Sequence, residues 1–114
     1  MIILASTLDK LQVVTSTADA VDVYAAWLDN APGAVSVGRS NTAIAAAAVT
    51  DVVNSPAAGI QRNVRSLHVR NKGIGTNEVI VRHTDGITAV DLYAESLPPD
   101  GQLQYNDGNG FAAP

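Results

Sequence analysis

The chain contains no cysteine, which removes disulfide bonds, thiol nucleophiles and zinc–thiolate sites together. That absence suits a reducing compartment. Aromatic side chains are nearly as scarce: Tyr24, Trp27, Tyr93, Tyr105 and Phe111 are all there are. The core must therefore be made of Val, Ile, Leu and Ala. Histidine occurs only at His68 and His83. No apolar run approaches the roughly 20 residues of a membrane span. The opening MIILASTLDK lacks the basic n-region and sustained apolar h-region of a secretory signal. A soluble protein made in the cytoplasm, with no membrane partner, is expected.

Basic residues are also few, 7 against 11 acidic ones, for a net charge of −4. That balance argues against a general nucleic-acid binder. The charges fall in blocks. Residues 1–38 sum to −3, residues 39–82 to +4, and residues 83–114, with five acids and no Lys or Arg, to −5. Such blocks either complement one another between copies of a chain or meet within one fold and in solvent. The second arrangement is the commoner.

What is present is a pattern of strands. At 114 residues, 46% of them hydrophobic, the chain makes one domain that buries roughly two thirds of its unfolded surface. In VDVYAAW, Val21, Val23, Ala25 and Trp27 share one face at period two, with Asp22 and Tyr24 on the other. Trp27 is accordingly expected in the core. DNAPG, residues 29–33, stops this strand with turn chemistry, and Val35 and Val37 alternate after it. Leu11 with Val13, Leu67 with Val69, Val79 with Val81, Val90 with Leu92 and Leu103 with Tyr105 repeat the pattern. Val64 is out of phase with Leu67 and marks a bulge or the start of its strand. Asp85 and Gly86 signal a hairpin. The four alanines at 45–48 favour helix by propensity, but so short a helix is marginal. We read the stretch as extended, leading into a strand at residues 49–53. Eight or nine short strands spaced by turns predict an all-β single domain spanning residues 1–114, an antiparallel β-sandwich (jelly-roll-like) or a small barrel.

Chemistry is hard to assemble from this inventory. If residues 63–70 and 78–84 form a hairpin about the turn near Gly73, His68 and His83 fall on non-opposing positions. No further ligands stand at convincing spacing, so no metal or cofactor is expected. No nucleophile-elbow pattern is present, and an enzyme is not expected. NDGNG lacks the alternating acids and distal glutamate of a calcium loop. The basic stretch RNVRSLHVRNK has no interleaved aromatics for stacking on single-stranded nucleic acid. Its cations are better suited to carboxylates on a protein surface. Exposed rings for glycan contact are equally few, with Tyr24 the one outward candidate.

The stretch SPAAGIQRNVRSLHVRNKG resembles a set of small bacteriophage proteins that carry a Pro-Ala-Ala/Ser-x-x-Gln-Arg-x-Val run followed by an apolar strand ending in Asn. VIVRHTDG and LYAESLPPDGQLQYNDGNGF are similar to the endings of those proteins, in which a Leu-x-Tyr strand precedes Asp-Gly-x-Gly and an aromatic residue. Here Pro98, Pro99 and Asp100 lengthen the interval before Gly101. STLDKLQVVTSTADAVDVYAAWLD fits the same set, so the resemblance covers nearly the whole chain.

The resemblance implies a virion structural protein with no catalytic residue to carry over. Two positions on a particle compete. One is a capsid decoration or cement protein on the outer surface of the head, bound to the major capsid protein and to copies of itself as a dimer or trimer. The other is a small tail or baseplate component, such as a fibre tip or receptor-binding module. The chain has no coiled-coil heptads or collagen-like repeat from which to build a stalk, which favours the head. The expected protein interface comprises the basic band Arg62, Arg65, Arg70 and Lys72, with Tyr105 and Phe111 at the closing end of the sandwich.

Overall fold

Strands with alternating Val and Leu must bury one apolar face, and two sheets facing each other are one arrangement that does so. The computed structural model describes residues 1–114 and contains strands and turns without a helix. The strands are β1 (Ile2–Leu4), β2 (Lys10–Thr15), β3 (Val21–Ala31), β4 (Ala34–Ile44), β5 (Val49–Val53), β6 (Gln61–Asn71), β7 (Asn77–Thr84), β8 (Ala89–Leu97), β9 (Gln102–Asn106) and β10 (Gly110–Ala112). One sheet runs β10-β9-β6-β3-β4, with β1 also on β6; the other runs β5-β2-β7-β8. All the ladders are antiparallel and none joins the two sheets. The chain is therefore an all-β sandwich rather than a closed barrel. Pairing is nested, β2 with β7 in one sheet and β3 with β6 in the other, so the chain winds between layers.

The core is a single cluster of 18 buried apolar residues. Leu11, Val13, Val79 and Val81 of one sheet close over Val21, Val23, Leu67 and Val69 of the other. Each such side chain contributes about 1.5–3 kcal/mol by leaving water. Val64 is buried as well, although it stands an odd three positions before Leu67. A bulge reconciles the two. Ala26 pairs with Ser66 and Trp27 with Val64, which leaves Arg65 as the extra residue.

The alanine stretch is not helical. β4 runs to Ile44, residues 45–48 bend, and β5 begins at Val49. Thr15 holds the bend: its N–H donates to the Ala48 carbonyl at 3.0 Å, and its hydroxyl to the Ala46 carbonyl at 2.6 Å. Those tertiary bonds outweigh an alanine propensity worth only tenths of a kcal/mol per residue.

Several expectations need correction. Trp27 packs against the core but is only partly buried. It follows Ala25, the last core position on β3, and lies where the β3–β4 hairpin begins to outrun the opposite sheet. Val35 and Val37 are exposed for another reason: they pair with Asn30 and Leu28, out of phase with Ala25 and Trp27, and so point away from the opposite sheet. The turn is also tighter than DNAPG suggested: β3 continues to Ala31 and only Pro32 and Gly33 connect the strands, with Gly33 at φ 75°. Proline at the first and glycine at the second central position is the sequence of a type II turn. Leu92 is exposed because Val81 pairs with Tyr93 and Arg82 with Asp91, leaving it as the extra residue; Val90, opposite His83 near the start of β8, is exposed as well. Finally, residues 63–70 and 78–84 do not form a hairpin. β6 and β7 belong to different sheets, and residues 72–76 cross between them.

Candidate interaction surface

Each member of the expected basic band is paired with an acid of the same chain. Arg62 is the most enclosed. Its Nε and Nη2 donate to the two Asp29 carboxylate oxygens at 2.8 and 3.0 Å, and Nη1 donates to the Asn54 carbonyl at 2.8 Å. The guanidinium also lies 4.6 Å from the Trp27 ring centre. Arg65 stands 3.7 Å from Asp107, Arg70 2.8 Å from Asp100, and Lys72 3.2 Å from Asp22. The basic middle block thus complements the acidic blocks on either side within one fold. Arg62 is internal structure, whereas Arg65, Arg70 and Lys72 lie on the surface in pairs that stabilise little and can exchange partners.

Tyr105 and Phe111 meet where β9 and β10 form the edge of one sheet and β8 the edge of the other. Phe111 stacks on Tyr93 with ring centroids 5.0 Å apart and planes 2° from parallel, and tilts at 49° to Tyr105 at 4.9 Å. This three-ring stack closes the open side of the sandwich across the sheets. Tyr105 is 5% exposed and belongs to the core, so it is unavailable as a surface contact. Burial pushes its phenol above the usual tyrosine range, and Asp107 adds to the shift. Phe111 keeps part of its ring at the surface.

An uncovered apolar surface lies elsewhere, on the outer face of the β3–β4 hairpin. The outward positions there include Tyr24, Ala26 and Leu28 on β3 and Val35, Val37 and Arg39 on β4. Tyr24 is 41% exposed, Val35 63% and Val37 83%. Tyr24, Ala26, Leu28 and Val37 line an open groove, with Arg39 and Arg65 as its cationic margin. Arg39 is the one Lys or Arg without an ion pair. Sequence reading overlooked this surface because Val35 and Val37 at period two look like core. Only the β3–β4 register shows otherwise: Val37 pairs with Leu28 and Val35 with Asn30, on the face turned away from the opposite sheet.

Two buried asparagines, also overlooked, organise the end of the sandwich where the chain changes layers. Asn71 donates to the Gly75 and Leu97 carbonyls, each at 2.8 Å, and accepts from the Gly73 N–H at 2.9 Å. Asn77 accepts from the Ser16 N–H at 3.0 Å and donates to the Asp19 carbonyl at 3.1 Å. Their amides complete backbone groups that no ladder reaches, which is a structural role. The available signal was position: each asparagine stands at the end of an alternating apolar run. His68 and His83 each bond one partner, Gln102 and the Ile3 carbonyl, and lie in different sheets. No three His, Asp or Glu side chains gather closely enough to hold a metal ion.

No family model, curated protein or solved structure matches the chain. The outer face of the β3–β4 hairpin, with the surface cations of β6 beside it, remains the candidate site: an apolar groove with a cationic margin.

Proposed function

We propose that this chain is a bacteriophage virion structural protein, a capsid decoration or cement protein that binds the outside of the assembled head. The observation that carries this reading is the contrast between a closed, charge-paired sandwich and one protruding hairpin with an uncovered apolar outer face. A contiguous exposed apolar patch of this kind is a mark of protein association. The resemblance of SPAAGIQRNVRSLHVRNKG and the C-terminal stretch to small phage proteins supplies the setting.

A cement protein works by linkage. It binds the assembled shell better than free or rearranged subunits, and that difference in binding free energy adds to shell stability. Single contacts can be weak, because many copies act on one particle. In this reading the major capsid protein meets the hairpin groove and the exposed cations Arg65, Arg70 and Lys72, with Phe111 at the far edge. Copies of the chain associate with one another as dimers or trimers.

The test uses particles prepared without this chain. Heated beside complete particles, bare heads should release their genome at lower temperature, and added purified protein should bind them and restore the loss. Heads that hold their genome equally well and bind none of the protein would defeat the reading. Label found at the tail would support a tail or baseplate component instead.

A further inference from the structure

We propose that two copies of this chain join through their β4 edges, antiparallel about a two-fold axis at Gly38, so that two sheets become one. This narrows the self-association in the preceding reading from dimer or trimer to dimer. Sedimentation decides it without particles, so either proposal can fail alone.

The sandwich has several sheet edges, and all but one are guarded. β1 and β10 are three residues long. β5 has five residues, carries Asp51, and pairs with β2 through a register shift. β8 also has a register shift and carries Asp91 and Glu95. Short length, irregularity and charge are the devices that keep an edge from pairing with another chain. β4 has almost none of them, with Arg39 as its one charge. It runs 11 residues, pairs with β3 from end to end without a shift, and contains no proline or acid and one cation. No backbone group of residues 34–44 bonds outside the β3 ladder.

The ladder shows which groups are free. Ala31 and Ala34 close a two-residue turn, and such a closing pair exchanges hydrogen bonds. Bonded and non-bonded pairs alternate from there, so Val35, Val37, Arg39, Asn41 and Ala43 turn their N–H and C=O groups to the open edge. Their side chains lie on the outer face, two of them strongly exposed valines. A strand placed against β4 would satisfy the backbone groups and cover the valines together.

Charge chooses the occupant. The chain is net −4, yet residues 30–50 contain no Asp or Glu and only Arg39 as a charged side chain. Two copies meeting at β4 therefore bring no carboxylate against carboxylate, whereas the other edges carry acids or are too short. The register follows from Arg39. Pairing centred on that residue would oppose two guanidinium groups, which is destabilising. Pairing centred on Gly38 sets Val37 opposite Arg39 of the second copy and Val35 opposite its Asn41, with the arginine stem lying along the valine. Toward Ile44 the strand is flanked by the other sheet, since the Ser40 hydroxyl bonds the Val52 carbonyl. The hairpin half is freer, which favours Gly38 over positions further along. On the inner face the seam is bordered by Ser36, Gly38 and Ser40, all small.

The natural absence of cysteine makes the test clean. Wild-type protein should sediment as a dimer. Val37→Lys should raise the dissociation constant about tenfold or more, while Val90→Lys, on the guarded β8 edge, should leave it unchanged. Circular dichroism of both variants should match wild type. Mixed Val37→Cys and Arg39→Cys proteins should cross-link to each other under mild oxidation faster than either does to itself. Monomers at every concentration would overturn the proposal, as would a dimer indifferent to Val37→Lys or a preferred 39-to-39 cross-link. A monomer that loses attachment to heads on Val37→Lys would also overturn it, assigning the edge to a strand of another protein.

Discussion

Arg62 grips Asp29 with two parallel hydrogen bonds of 2.8 and 3.0 Å. The side chains are 15% and 17% exposed, and the guanidinium lies against Trp27. Bidentate geometry and partial burial separate this pair from the surface pairs along the same strand. Asp29→Ala should cost about 2–3 kcal/mol in denaturant unfolding, because it strands a mostly buried guanidinium. The double variant with Arg62→Ala should cost less than the sum of the single ones. Additive losses would show that the pair is not a unit.

Gly38 makes room for Trp27. A Cβ at Gly38 would fall 2.5 Å from the indole nitrogen, and the ring cannot swing freely with Arg62 stacked on it. Gly38→Ala should cost about 1–3 kcal/mol, the range for overpacking, and should shift the emission of the single tryptophan. In a Trp27→Ala background the same substitution should be nearly neutral. Trp27→Ala itself should cost about 2 kcal/mol, below the 3–5 kcal/mol of a fully buried ring, since the indole is partly exposed.

Asn71 and Asn77 are fully buried and complete the backbone where the chain changes sheets. Asn77→Ala should destabilise by about 2–4 kcal/mol, because several buried backbone groups lose their partner at once. Unfolding midpoints measured in urea check this, and an unchanged midpoint would contradict the assigned role.

The surface cations should behave differently. Arg65→Ser and Arg70→Ser should each change stability by less than about 1 kcal/mol, as exposed ion pairs do. Any loss of head binding by these variants would then report contact rather than misfolding, with thermal unfolding as the control.

Acid should weaken the fold through Asp9. Burial alone would raise its carboxyl, but the Ala5 and Ser6 N–H groups and the Ser6 hydroxyl outweigh that and hold it below the usual range. A depressed carboxylate contributes stability that is present above its unfolded value of about 3.9 and is lost as pH falls through the folded value. Melting temperature should therefore fall as pH drops below about 4, and Asp9→Asn should flatten that fall. Tyr105 acts at the other end. Its phenol is raised by burial, so its contribution is present below about pH 10 and is lost as pH rises through the folded value.

Local chemistry determined much of this protein. Period-two runs at residues 11–13, 21–25, 67–69 and 79–81 specify one buried face per strand, which fits a sandwich or a small barrel; the two separate sheets decide for the sandwich. The out-of-phase Val64 called for a bulge or a strand start there, and it is a bulge, at Arg65. Asp85 and Gly86 turn the chain between β7 and β8, as their backbone preferences demand. Tertiary structure decided what depends on distance along the chain. Alternation shows that Val35 and Val37 share a face, but not that the β3–β4 register turns that face away from the opposite sheet. The four alanines could not show that Thr15, some thirty residues away, would hold them in a bend. Charge blocks showed that opposite signs were available, while the β3–β6–β9 ladders decided that Asp22, Asp29, Asp100 and Asp107 would stand beside the basic strand. Pairing across a sheet is set by which strands are neighbours. That is a property of the whole chain's packing, which no local window contains.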